Sequence, residues 1–134
     1  MQEFLIGLHG GIRWLVVVAG VLALIKFVAG WLSNSSFGPL DRRLSLAFTI
    51  LMDINVLIGL IIFVTGFFGD LPGEVLRIRS EHAVTMILAV AAAHMSARWK
   101  NAADKIRFRQ TAIFFLIAML LVVAGVARVG GWSG

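Results

Sequence analysis

The chain has 134 residues, 60% of them hydrophobic and 14% charged, with no cysteine and a net charge of +5. Soluble domains run near ~25% charged, so a mean hydropathy of +0.95 points to an integral membrane protein of one domain. The missing cysteine excludes disulfides, thiolate metal sites, iron–sulfur ligation and covalent haem attachment, and bases confined to the flanks of apolar runs indicate membrane topology and lipid contact, not nucleic-acid binding.

Four apolar runs are long enough to cross ~30 Å of hydrocarbon, which takes about 20 helical residues. Glu3 stands where a signal peptide would be basic, and the first run is too long for a signal core, so Met1 is expected as the mature start. That run covers about residues 4–32 and holds His9, Arg13 and Lys26. Asn34-Ser35-Ser36-Phe37-Gly38-Pro39 breaks the chain after it. The second run, about 44–68, holds Asp53 and a stripe of Asn55, Gly59, Ile62 and Gly66. Gly69-Asp70-Leu71-Pro72-Gly73 ends it. The third, about 80–99, holds His82, His94 and a stripe of Ala89, Ala93 and Ala97. The fourth, about 107–129, ends beside Arg128. Small residues at such spacings let membrane helices approach closely. Backbone groups in lipid must be satisfied within their own segment, so the runs are helices. The predicted fold is all-α: a single transmembrane four-helix domain over residues 1–134, running up-down-up-down.

Basic residues orient it. Arg42 and Arg43 follow the first run, and Arg98, Lys100, Lys105, Arg107 and Arg109 follow the third. Between the second and third stand Arg77 and Arg79, offset by Asp70, Glu74 and Glu81. The positive-inside rule then puts both termini outside, on the periplasmic side of a bacterial inner membrane. Trp31 and Trp99 fall at the inner interface and Trp132 at the outer. Neither half of the chain repeats the other, which speaks against an inverted-repeat transporter.

Ionisable residues within spans are costly and mark function by default. His9 and His82 open two spans of parallel direction, at matching depth. A pair of imidazoles facing each other across a bundle is what axial ligation of a b-type haem requires. Gly7, Gly10 and Gly11 surround His9, and small residues are needed where a porphyrin lies against backbone. Arg13, Arg77, Arg79 and Arg128 share the level and suit haem propionates. The alternative is interfacial histidines, or hydrogen-bonded partners of Glu3 and Glu81. His94 lies about 18 Å along the helix from His82 and reads as a satisfied inner-leaflet side chain, not a second haem's ligand.

Lys26 and Asp53 lie on neighbouring antiparallel spans. Alone, each costs at least ~2.5 kcal/mol at that depth. They are expected to form one buried polar pair, direct or through water, acting as a tether or as a proton or substrate pathway. Lys26 snorkelling inward is the other option.

The runs Leu8-His9-Gly10-Gly11-Ile12-Arg13-Trp14, Asp53-Ile54-Asn55-Val56-Leu57-Ile58-Gly59 and Arg79-Ser80-Glu81-His82 with Met86 together resemble small bacterial four-span membrane proteins described as cytochrome-b-like. The resemblance covers the whole hydrophobic layout. It implies haem binding, with His9 and His82 as ligand candidates and Arg13 as their neighbour. The position of Asp53 can be histidine in such proteins, so the resemblance supplies no span-two ligand here.

Three classes of function follow. The first is a haem b electron-transfer protein exchanging electrons with quinone or quinol, or within a respiratory or photosynthetic chain. The second is an accessory subunit docking other membrane subunits or a second copy of itself. The third is a small proton-coupled transporter using Lys26 and Asp53. No nucleophile–base pair, phosphate loop or zinc helix is present, so independent catalysis is not expected.

Overall fold

Each predicted apolar run folds as a helix, and so do most of the polar segments flanking it. The computed structural model describes residues 1–66 and 71–132. The expected end of the second run at Phe68, and the turn residues Gly69 and Asp70, lie outside the described residues. The helices are α1 (Gln2–Leu32), α2 (Pro39–Gly66), α3 (Gly73–Met95) and α4 (Asp104–Arg128). A 3-10 turn, Ser96–Trp99, continues α3. There is no strand among the described residues.

The boundaries correct the sequence reading in one consistent direction. α2 begins at Pro39, not near residue 44, and α3 at Gly73, not near residue 80. Proline is well placed at a first helical position, where its missing N–H costs no hydrogen bond. Gly38 N–H donates to Asp41 Oδ2 at 2.9 Å, so the side chain at the third helical position caps the residue before the helix. Arg42, Arg43, Arg77, Arg79, Lys105 and Arg107 therefore lie on helix ends, not in loops.

α1 and α2 run antiparallel: Gln2 meets Thr65 at one end, and Lys26 meets Asp41 at the other. The starts of α3 and α4 lie at opposite ends too, since His82 meets Gly125. α1 packs on α2 and α4, and α3 on α2 and α4, so α1 and α3 are diagonal partners across the interior.

α1 buries only Val16, Gly20, Ala23, Phe27 and Gly30. Those positions follow the 3.6-residue period and form one stripe. Leu15, Val18, Leu22 and Ile25 on the same helix are exposed, as are Ile50, Leu57, Leu116 and Leu120 elsewhere. Apolar side chains facing outward around most of the bundle make this the surface of a membrane protein. α1, α2 and α4 are long and apolar enough to cross a membrane. α3 is less apolar, because its first turns carry Arg77, Arg79, Glu81 and His82 and its end carries His94.

The interior is filled by Phe27, Phe48, Phe108 and Phe115, all fully buried, with Phe37 stacked on Phe27 at 5.8 Å between ring centres. Glycines admit these side chains: a Cβ on Gly30 would lie 2.5 Å from Phe108 Cζ. Lipid tails are as apolar as this core, so close packing and not expulsion of water holds the helices together. The alanine stripe of α3 buries Ala89 and Ala93. The tighter 3-10 turn then rotates Ser96 inward, and Ala97 is left exposed.

Candidate functional site

The two predicted histidines meet. The ring centres of His9 and His82 lie 6.3 Å apart, with planes 83° to one another. Each ring is held the same way by a helix beside its own. His9 Nδ1 is 3.0 Å from the carbonyl oxygen of Asn55 on α2. His82 Nδ1 is 2.7 Å from that of Gly125 on α4. A carbonyl accepts only, so Nδ1 is the donor in both rings, and in the neutral imidazole this tautomer leaves the Nε2 lone pair free.

A glycine makes each anchor possible. A Cβ on Gly59 would lie 2.9 Å from His9 Cε1, so the imidazole rests on the α2 backbone. A Cβ on Gly125 would overlap Met86 Cε, so α3 and α4 close together where His82 reaches across. Gly125 is among the last four residues of α4, whose carbonyls lack the usual helical donor. Val129 N–H turns back to Val126 instead, leaving the Gly125 oxygen to His82.

The rings divide a cleft. One lobe, about 260 Å³, is lined by Ile6, Gly59, Ile62, Phe63 and Arg79 besides the histidines. The other, about 80 Å³, reaches inward past Arg13, Val16, Met52 and Asn55. Val56, Met86 and Val129 border both. Among the described residues, two polar atoms at the inner lobe are buried without a close hydrogen-bond partner: Asn55 Oδ1 and Arg13 Nε. The stripe of Asn55, Gly59 and Ile62, expected as helix packing, is thus a wall of this cleft.

Gly7, Gly10 and Gly11 have open space where a Cβ would lie. Gly59, on the facing helix, makes room for the His9 ring itself. The arginines also divide. Arg13 lines the inner lobe, donates to Gly131 O at 3.0 Å and lies between Trp14 and Trp132, 5.2 and 5.5 Å from the ring centres. Arg79 lines the outer lobe. Arg128 is spent on Glu81 at 2.5 Å, and Arg77 approaches the same carboxylate at 3.8 Å. Glu81 therefore serves two arginines, not His82.

Lys26 and Asp53 do not meet. Lys26 Nζ is 2.7 Å from Asp41 Oδ1, a carboxylate whose side chain is 3% exposed. Asp53 takes His94 Nε2 on both oxygens, at 2.8 and 3.0 Å. The helix start explains the error. With α2 beginning at Pro39, Asp53 lies about 21 Å up its helix, while Lys26 is about 9 Å from the end of α1, at 1.5 Å per residue. The transporter reading loses the pair it rested on. Asp41 was missed, although Gly-Pro-x-Asp has the spacing of a helix cap, a first-turn proline and a capping acid.

Among the described residues no group of three or more histidines and carboxylates converges as a metal site. The histidine pair stands by itself, which suits a group that brings its own equatorial ligands. Two imidazoles binding one metal from opposite faces, at ~2 Å per metal–nitrogen bond, place their ring centres roughly 6 Å apart. The separation here fits that arrangement. The two lobes together fall within the ~300–1,000 Å³ of ordinary ligand sites. Comparison with protein-family models, with curated proteins and with solved structures finds no significant match for this chain.

Proposed function

We propose that this chain is a membrane electron-transfer protein holding one b-type haem between His9 and His82. The observation that carries the reading is the matched anchoring of the two rings. Both Nδ1 atoms are fixed on carbonyls of neighbouring helices, which leaves both Nε2 atoms for a metal. A haem supplies a one-electron ferric/ferrous couple when bound. The chain's own residues supply position and electrostatics. Gly59 admits the His9 ring to the α2 backbone, and Met86, Val56 and Val129 give the pair an apolar border. Arg13 and Arg79, at opposite lobes, are the cations left to receive propionates, since Glu81 holds Arg77 and Arg128. The resemblance of the His9 and His82 segments to cytochrome-b-like proteins supports the same reading.

In this account α3 crosses the membrane with the other three helices. Its Glu81, His82 and His94 find partners on α2 and α4, while Arg77 and Arg79 stay exposed near its outer end. Both termini lie outside a bacterial inner membrane, with Arg42, Arg43, Arg98, Lys100, Lys105, Arg107 and Arg109 inside. Reporter fusions after Lys100 and at the C-terminus test the orientation; a periplasmic signal at Lys100 would reverse it. The haem reading is tested by purifying the protein from a haem-producing host and recording its visible spectrum. A Soret band with sharp alpha and beta bands on reduction is expected. A colourless protein that also fails to take up added haem is an accessory subunit instead.

A further inference from the structure

The opposite end of the bundle holds a second cavity, of about 290 Å³, between α2, the end of α3 and the start of α4. Arg42, Lys100 and Arg107 reach it from three different segments. Like charges gathered at one cavity repel one another, and such an arrangement is stable when an anion or a carboxylate offsets it. Of the carboxylates nearby, Asp104 acts on Arg107 only from beyond ion-pair distance, and two others are engaged by other side chains. Asp53, on the cavity wall, is bonded through both oxygens to His94. Asp41, next to Arg42, is held by Lys26 and by Gly38 N–H. Among the described residues, no carboxylate lies within ion-pair distance of Arg42, Lys100 or Arg107.

Two further features aim the cavity at an anion. The Arg107 guanidinium lies 3.8 Å from the centre of the Phe37 ring, which fixes it at the wall without neutralising it. Thr111 lines the same space, and a hydroxyl at a cavity wall can donate to an anion. Leu46 and Ile50, which also line the cavity, are each 51% exposed and give its α2 wall an apolar outer edge.

We propose that this cavity binds a phosphate-bearing anion through Arg42, Lys100, Arg107 and the Thr111 hydroxyl. Fork-shaped arginines match phosphate oxygens in pairs, and basic pockets between membrane helices suit anionic headgroups. The same chemistry is offered by an anionic phospholipid headgroup and by free phosphate. The proposal does not depend on haem at the other end.

The test is thermal stability of the purified protein in neutral detergent. It is titrated with dioleoylphosphatidylglycerol, with dioleoylphosphatidylcholine, and with inorganic phosphate against chloride at matched ionic strength. Stabilisation by phosphatidylglycerol and not phosphatidylcholine, with inorganic phosphate inert, assigns a lipid headgroup; stabilisation by inorganic phosphate assigns the free anion. In either case Arg42→Gln and Lys100→Gln should each weaken the apparent affinity about fivefold. Lys105→Gln with Arg109→Gln, outside the cavity, should leave it unchanged. Arg107→Gln is avoided as the primary variant because its stacking on Phe37 ties it to the fold. The proposal is overturned if neither phosphatidylglycerol nor phosphate stabilises beyond its control, if the Arg42 and Lys100 variants bind as the parent does, or if the control pair loses as much as they do.

Discussion

The packing around Lys26 and the cleft around His9 treat polar groups in a membrane protein differently. Beside Lys26, the ammonium is paired with Asp41, and the space between α1 and α4 is filled by Phe27, Phe37, Phe108 and Phe115. At the end near His9, the interior is open along a cleft, and the polar groups that border it are held in place without being used up. Among the described residues Arg13 Nε and Asn55 Oδ1 have no close hydrogen-bond partner, and each imidazole is anchored through Nδ1. Buried polar groups in proteins are nearly always satisfied, and exceptions call for a functional reason. The difference separates the aromatic packing that holds the helices together from a cleft with room for a ligand.

Substitutions that exchange the properties of the two ends should separate them further. The largest stability effect is expected from Lys26→Met. It leaves the buried Asp41 carboxylate with only the Gly38 N–H, and breaking a buried pair on one side costs about 3 kcal/mol, less some relief because the Lys26 side chain is 36% exposed. Denaturation of the variant in micelles measures it, and Lys26→Met with Asp41→Asn should recover part of the loss. Next is Gly30→Ala, whose new methyl meets the Phe108 ring; overpacking of this kind costs about 1–3 kcal/mol. Neither change should alter ligand binding at the histidine end.

Gly59→Val tests the reverse. Its side chain would occupy the place of the His9 ring, so haem affinity should fall at least tenfold while the melting temperature changes little, because the cleft is already open there. A melting temperature lowered as much as in Gly30→Ala would mean that this end, too, is a packing element. The smallest effect is expected from Asp53→Asn. The amide keeps an acceptor toward His94 Nε2 and removes a charge that is costly within a span, so the two effects oppose one another.

Much of this was legible in the sequence because its signals were periodic or compositional. The apolar runs gave the helices, and the depth of His9 and His82 on parallel spans gave their meeting. Helix starts were less legible, because charged first turns look like loops until capping is considered. Gly38-Pro39-Leu40-Asp41 carries that capping pattern. Reading Asp41 as a loop residue shifted α2 by five positions and paired Lys26 with the wrong carboxylate. The carbonyl anchors of the histidines were not legible at all. Any residue has a carbonyl, and only the crossing of helices at Gly59 and Gly125 selects those of Asn55 and Gly125. The return of Trp132 onto Val123 and Arg13 depends likewise on the turn after α4.

The central claim is that His9 and His82 hold one haem together, and haem titration of the parent beside His9→Leu and His82→Leu tests it most directly. The account predicts one haem per chain in the parent, with the low-spin spectrum of two axial imidazoles. Each single variant should lose that spectrum, and added imidazole should restore it in part. Uptake in the parent that survives both substitutions unchanged, or no uptake at all, would contradict it.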